Sequence, residues 1–147
     1  MPTVENAAAL LQRYDAFLLD AYGVLVDARG PLPHAATFVD ALAEHGKTRL
    51  LLSNDASRTQ DQVRARLHRF GITLALDEIL TSGMMVAPWV SAHGLEGAPA
   101  VVLGPGGSQQ LAADAGLHRV DASDPAARVV LVCDEAGFDF VPRSRRC

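Results

Sequence analysis

Long apolar runs, basic stretches and paired cysteines are all missing from this 147-residue chain, and each absence removes a class of function. No segment approaches the roughly 20 consecutive apolar residues that a bilayer-spanning helix needs, so no membrane partner is expected. The opening stretch from Val4 to Tyr14 carries Glu5 and no basic leader, so it does not read as a secretory signal. Of the two cysteines, Cys133 ends an apolar run and Cys147 is the last residue. They make no disulfide framework, and a reducing cytoplasm is the expected compartment. A net charge of -4 with scattered arginines argues against a nucleic-acid partner, which would call for a basic stripe. Positive charge clusters only at Arg143, Arg145 and Arg146, the pattern of a solvated terminus. Aromatics are sparse at 5% and Lys47 is the only lysine, yet 49% of the residues are hydrophobic, enough for the core of one ordinary domain.

What remains is an alternation of short apolar runs with amphipathic stretches, the mark of strands and helices packed around a parallel sheet. The pattern predicts a helix over 4–13, a strand over 16–19 that delivers Asp20, and a turn-rich connection through Gly23, Gly30, Pro31 and Pro33. A helix over 34–44 closes at His45-Gly46, and a strand over 49–52 ends at Ser53-Asn54. A helix over 59–69 turns Val63, Leu67 and Phe70 to one side. Beyond Ile79 the same rhythm predicts helices over 84–92 and 108–115 and strands over 100–103 and 128–133.

Two of these strand ends carry chemistry. Phe17-Leu18-Leu19-Asp20-Ala21-Tyr22-Gly23 sets a carboxylate after an apolar strand and before a glycine-assisted turn, where it can serve as a nucleophile while backbone donors hold the transferring group. Leu50-Leu51-Leu52-Ser53-Asn54-Asp55-Ala56-Ser57-Arg58 repeats the arrangement 33 positions on (53 minus 20), now with a hydroxyl and an amide. In a parallel sheet both ends open on one crevice, and neutral donors beside a nucleophile suit a phosphoryl oxygen. Turn formation and helix capping explain Asn54, Asp55 and Ser57 one by one, but not the pairing of Ser53 with Asp20. Gly104-Pro105-Gly106-Gly107-Ser108 lacks the dinucleotide pattern and reads as a strand-to-helix turn. The histidines show no ligand spacing; His45, His68, His93 and His118 fall near helix ends, and Met84, Met85 and Trp89 read as core or hinge packing.

The Asp20 and Ser53 segments resemble the first two motifs of the haloacid dehalogenase superfamily. Gly30-Pro31-Leu32-Pro33, Ser53-Asn54-Asp55-Ala56-Ser57-Arg58 and Ile79-Leu80-Thr81-Ser82-Gly83-Met84 are most similar to its NagD-type phosphatases. That resemblance implies an α/β fold: a Rossmann-like core with a parallel sheet in three layers over 1–84, and the start of an inserted α/β cap over 85–147. A single small capless core over 1–147 is the alternative. The resemblance further implies a Mg2+-dependent hydrolase of small phosphorylated metabolites. Asp20 and Ser53 would be catalytic, Asp20 and Tyr22 would hold the metal, and Tyr22, Gly23, Ser53, Asn54 and Arg58 would bind the phosphate.

The chain departs from that family's pattern at three places. Tyr22 stands where the phosphatases carry a second Asp as general acid. The family's neutralising lysine has no counterpart, because Lys47 precedes its strand and belongs at the opposite end of the sheet. The acidic pair that follows the cap could be imitated by Asp134 and Asp139, although segment order puts Asp134 within the cap. Two alternatives stay open: a dehalogenase-type hydrolase, in which Tyr22 is no defect, and a truncated, non-catalytic relative, since 141–147 does not continue the expected pattern. An exposed sheet edge in such a chain would favour a homodimer.

Overall fold

A computed structural model of the chain describes residues 7–134. The expectations that rest on Asp139, the three tail arginines, Cys147 and the first residues of the opening helix lie outside the described residues. In chain order the elements are α1 (Ala7–Arg13), β1 (Ala16–Asp20), β2 (Val26–Asp27), β3 (Gly30–Pro31), α2 (Ala35–Glu44), β4 (Thr48–Ser53) and α3 (Gln60–Arg69). They continue with β5 (Ile79–Thr81), α4 (Val86–Ala92), β6 (Pro99–Leu103), α5 (Gly106–Asp114), β7 (His118–Arg119) and β8 (Val129–Val132). The protein is α/β with parallel strand pairing, as the alternating periodicity predicts. It divides into two compact units: the described residues up to Ser53 with Val63–Leu80, and Asn54–Gln62 with the described residues from Thr81 onward.

In the first unit the sheet runs β1-β4-β5, and β1 pairs parallel with β4 from Ala16 opposite Thr48 to Asp20 opposite Leu52. Strand formation follows from the Phe-Leu-Leu and Leu-Leu-Leu runs, whose bulk packs well on a pleated surface. Leu19, Leu51 and Ile79 are buried against Val39 and Leu42 of α2 and Val63 and Leu67 of α3. Each such fully buried side chain contributes roughly 1.5–3 kcal/mol, so this packing dominates the unit's stability. The connection after β1 is more ordered than a run of turns: β2 and β3 form a small antiparallel pair, closed by the Asp27 carboxylate accepting from the N–H groups of Arg29 (2.7 Å) and Gly30 (3.2 Å).

The amino rim of this sheet is fixed by charge. Lys47 Nζ lies 3.5 Å from the Asp15 carboxylate, and Thr48 N–H donates to Asp15 O. Lys47 is thus at the amino rim, as its place before the strand predicts, with its side chain only 17% exposed. Arg49 makes the stronger tie: Nε and Nη2 donate to the two Glu78 oxygens at 2.7 and 3.1 Å, and Nη1 donates to Val39 O. One guanidinium therefore joins the start of β4 to α2 and to the turn before β5.

The second unit holds a parallel sheet in the order β7-β6-β8, with β6 central and Ala100 to Leu103 paired to Val129 to Val132. Its core is built from small residues, Ala98, Ala100, Ala112 and Ala115, with Val90, Val102 and Leu117 filling the spaces between them. Of the two readings of Met85 and Trp89, core or hinge packing, the core one is corrected: they are 56% and 51% exposed, because α4 turns Val90 inward and leaves these two on its open side. His45 and His93 cap α2 and α4, and His118, four residues past the end of α5 (118 minus 114), begins β7.

The Arg49–Glu78 pair yields a test. Hydrogen bonding from Arg49 holds the Glu78 carboxyl below its ordinary value of 4.5, against the opposing effect of burial and with help from Ala75 N–H. A carboxyl depressed on folding adds stability that is complete above its unfolded value and is lost as pH falls through the lower folded value. Glu78→Gln is expected to lower stability by about 1–2 kcal/mol at neutral pH and to flatten the loss of stability as pH falls below the ordinary carboxyl value of 4.5, read by urea unfolding across a pH series.

Candidate active site

Asp20 and Ser53 leave the first sheet at the same rim. Asp20 is the last residue of β1 and sits opposite Leu52, so Ser53 follows one position beyond, on the adjacent strand. Neighbouring strands lie about 4.8 Å apart, which sets the two backbones side by side at the carboxyl edge. Asp20 is exposed and Ser53 partly buried. The strand carries them there because Leu19 and Leu51, the apolar residues just before, are anchored in the core.

Beyond Asp20 the chain folds back at once. Leu25 and Val26 N–H groups both donate to Ala21 O, and Gly23 N–H donates to Val26 O at 2.7 Å. Gly23 takes φ +87°, a left-handed conformation that strains any residue with a Cβ, which explains the glycine at this turn. Tyr22 is exposed on the same loop.

Asn54 and Arg58 belong to a second loop, organised by a residue that the sequence reading treated only as a turn former. The Asp55 carboxylate accepts from Ser57 N–H (2.8 Å), Ser57 Oγ (2.6 Å) and Arg58 Nη1 (2.9 Å). Burial raises its pKa, but the hydrogen bonds from Ser57 and Arg58 outweigh that and hold the carboxyl below its ordinary value. Arg58 Nη1 is engaged with Asp55 and with Ser57 Oγ at 3.0 Å. Thr59 and Gln62 then cap α3 reciprocally, each side-chain oxygen accepting the other's N–H. The signal for Asp55 was present in the Asp-x-Ser spacing.

The glycine-rich segment after β6 supports this loop. Ser108 Oγ donates to Ala56 O at 2.9 Å, Gly83 N–H donates to Asp55 O, and a Cβ at Gly107 would collide with Ser57 O. The helix begins at Gly106 rather than at Ser108, and the amino end of α5 packs on loop backbone.

Among the described residues no group of three or more His, Cys, Asp or Glu side chains is gathered to hold a metal. The Asp20 carboxylate and the Tyr22 carbonyl are hard oxygens of the kind Mg2+ takes while keeping waters and a substrate phosphate as its other ligands, so the donor chemistry fits that ion. No helix of the described residues is long and apolar enough to cross a membrane.

Parallel strands that deliver a carboxylate and a hydroxyl to one rim define an α/β protein with a candidate site at its strand ends. The family model described as haloacid dehalogenase-like hydrolase matches residues 17–118, more than half of the chain, and the chain belongs to that family. It is 28% identical over 107 residues to an acid sugar phosphatase of Staphylococcus aureus, an alignment covering 73% of this chain and 41% of that protein. Among solved structures it resembles a possible sugar phosphatase of the same superfamily from Cytophaga hutchinsonii, with TM-score 0.79 and 26% identity over 93% of this chain and 50% of the other. It also resembles the glycerol phosphate phosphatase of Mycobacterium tuberculosis solved with magnesium, with TM-score 0.71 and 25% identity over 88% of this chain and 39% of the other. The chain thus spans about half or less of the length of these relatives.

The contact beneath the loop separates two neighbouring glycines. Gly107→Ala is expected to cost about 1–3 kcal/mol, because the added methyl meets Ser57 O and the Arg58 backbone. Gly106→Ala, with open space around its Cβ, is expected to be neutral or mildly stabilising. Thermal unfolding of the two variants beside the parent checks the contrast.

Proposed function

We propose that this chain carries the nucleophile half of a phosphate-ester hydrolase, in the cytoplasm, acting on a small phosphorylated metabolite. The observation that carries this reading is the register of β1 and β4, which sets Asp20 and Ser53 on adjacent strands at one carboxyl rim. In the proposed reaction an Asp20 oxygen attacks phosphorus, the ester P–O bond breaks, and the leaving oxygen takes a proton from solvent water. Water then attacks the aspartyl phosphate, releasing phosphate and restoring the carboxylate. Ser53 Oγ donates to a phosphoryl oxygen, and the N–H groups of the Tyr22-Gly23 turn and of Asn54 serve the same group. Arg58 is proposed to orient the phosphate while Asp55 holds its Nη1 in place.

Asp20 and the Tyr22 carbonyl are the residues proposed to hold Mg2+, which when bound supplies positive charge to the phosphoryl oxygens. The magnesium in the mycobacterial phosphatase supports the choice of ion. Tyr22 stands where a carboxylic acid would protonate the leaving group, so aryl esters, whose phenolate leaves without help, are the favoured substrates. Residues 1–84 are assigned to the catalytic core and those from 85 onward to the start of a cap. The separation of β1-β4-β5 from β7-β6-β8 into two sheets supports this over a single capless core. A homodimer belongs to the same proposal.

Asp20→Asn tests the reading directly. Hydrolysis of p-nitrophenyl phosphate in the presence of Mg2+ is expected to fall about a thousandfold or more. Unaltered turnover in the variant, or halide release from short 2-haloacids by the parent chain with EDTA present, contradicts it.

A further inference from the structure

We propose that the groove between α4 and β8 is a binding site for a small aromatic carboxylate, a flat apolar ring that carries one anionic group. The site lies wholly within the second unit, and it neither needs nor extends the hydrolase reading of Asp20 and Ser53. The open cavity has a volume of about 460 Å3, within the roughly 300–1,000 Å3 of small-molecule sites. Its lining is mostly apolar, with Val129 and Leu131 from β8 and Met85 and Trp89 from the α4 region. In a chain with a single tryptophan, that indole is half exposed on the wall of a groove instead of filling a core. Trp89 is also held in place. The His93 ring stacks on it with centroids 4.1 Å apart and planes inclined by 24°, and His93 Nδ1 lies 2.7 Å from Trp89 O. A ring fixed before the ligand arrives loses little freedom on binding, which favours a planar partner that stacks on it, and the Met85 thioether suits an aromatic edge.

Charge selects the anion. Among the described residues Arg128 is the one charged side chain that lines the groove, and Ser82 adds a neutral hydroxyl. The backbone of Arg128 is pinned to β6, because its N–H donates to Pro99 O at 2.9 Å. Its guanidinium makes no hydrogen bond or ion pair with another described residue, so its donors are open to a ligand. A guanidinium takes a carboxylate through two parallel hydrogen bonds, and it keeps its charge at every pH the protein meets. With no acidic residue in the lining, a cationic or zwitterionic ligand finds no counter-charge here. An apolar body with one negative end is the complement of this lining.

Titration of the 15N-labelled intact chain with 2-naphthoate tests the site, read at the indole N–H of Trp89, the only tryptophan, and at Arg128 Nε–H. Both resonances are expected to shift together and to saturate, with a Kd of about 1 mM or tighter. Uncharged 2-naphthamide and non-aromatic cyclohexanecarboxylate are each expected to bind about fivefold more weakly. Arg128→Gln should abolish the preference for naphthoate over naphthamide without changing the affinity for naphthamide, and Arg128→Lys should restore part of it. Trp89→Ala, followed at Arg128 Nε–H, should weaken both aromatic ligands. Both side chains are exposed, and the amide spectrum of each variant confirms its fold. No saturation at several times that concentration, equal binding of naphthoate and naphthamide, or indifference to Arg128→Gln overturns the proposal. A groove filled by the chain's own residues past 134 or by a second copy overturns it as well. Trp89 then ignores naphthoate, and with a second copy its resonance moves with protein concentration instead.

Discussion

The parallel pairing of β1 with β4 is the constraint on which the rest depends. Five successive residue pairs, from Ala16 opposite Thr48 to Asp20 opposite Leu52, fix the direction as well as the register of the two strands. Parallel strands end on the same side, so whatever the sequence places just past each apolar run is delivered to one rim. A carboxylate and a hydroxyl are delivered there, and the lysine and arginine that hold the sheet, Lys47 and Arg49, are kept at the other. The charges that tie the sheet together and the candidate site residues are thereby separated along the strand axis.

Support for that rim comes from packing more than from charge. Leu19 and Leu51 anchor the last turns of their strands, Gly23 permits the reversal after Asp20, and Asp55 gathers the backbone and side chain of Ser57 with the Arg58 guanidinium. Loop 54–59 rests on Gly83, Gly107 and Ser108, whose smallness lets backbone meet backbone. The glycines after β6 therefore act as a foundation for a loop distant in sequence.

Much of this was legible in the sequence, and the exceptions share a cause. Strands β1, β4, β6 and β8 and helices α2 to α5 follow from periodicity, with boundaries shifted by only one or two residues, and so does the choice of Asp20 and Ser53 as strand-end residues. The β2–β3 pair and β7 have two residues per strand, too few to express a period, and are set by turn geometry and neighbours. The early start of α5 at Gly106 contradicts glycine's poor helix propensity and is imposed by the loop beneath it. Arg49 with Glu78, and Ser108 with Ala56, join residues 29 and 52 positions apart, a relation no local pattern encodes. The core reading of Met85 and Trp89 fails because apolar type suggests burial, whereas the side of the helix they occupy is open.

The relation between Asp20 and Ser53 is best interrogated by nuclear Overhauser contacts between backbone protons of isotopically labelled protein. The account predicts contacts from Asp20 to Leu52 and Ser53, together with contacts from Ala16 to Thr48. Contacts from Asp20 to Thr48, or none between these two segments, would place the carboxylate and the hydroxyl at opposite rims and contradict it.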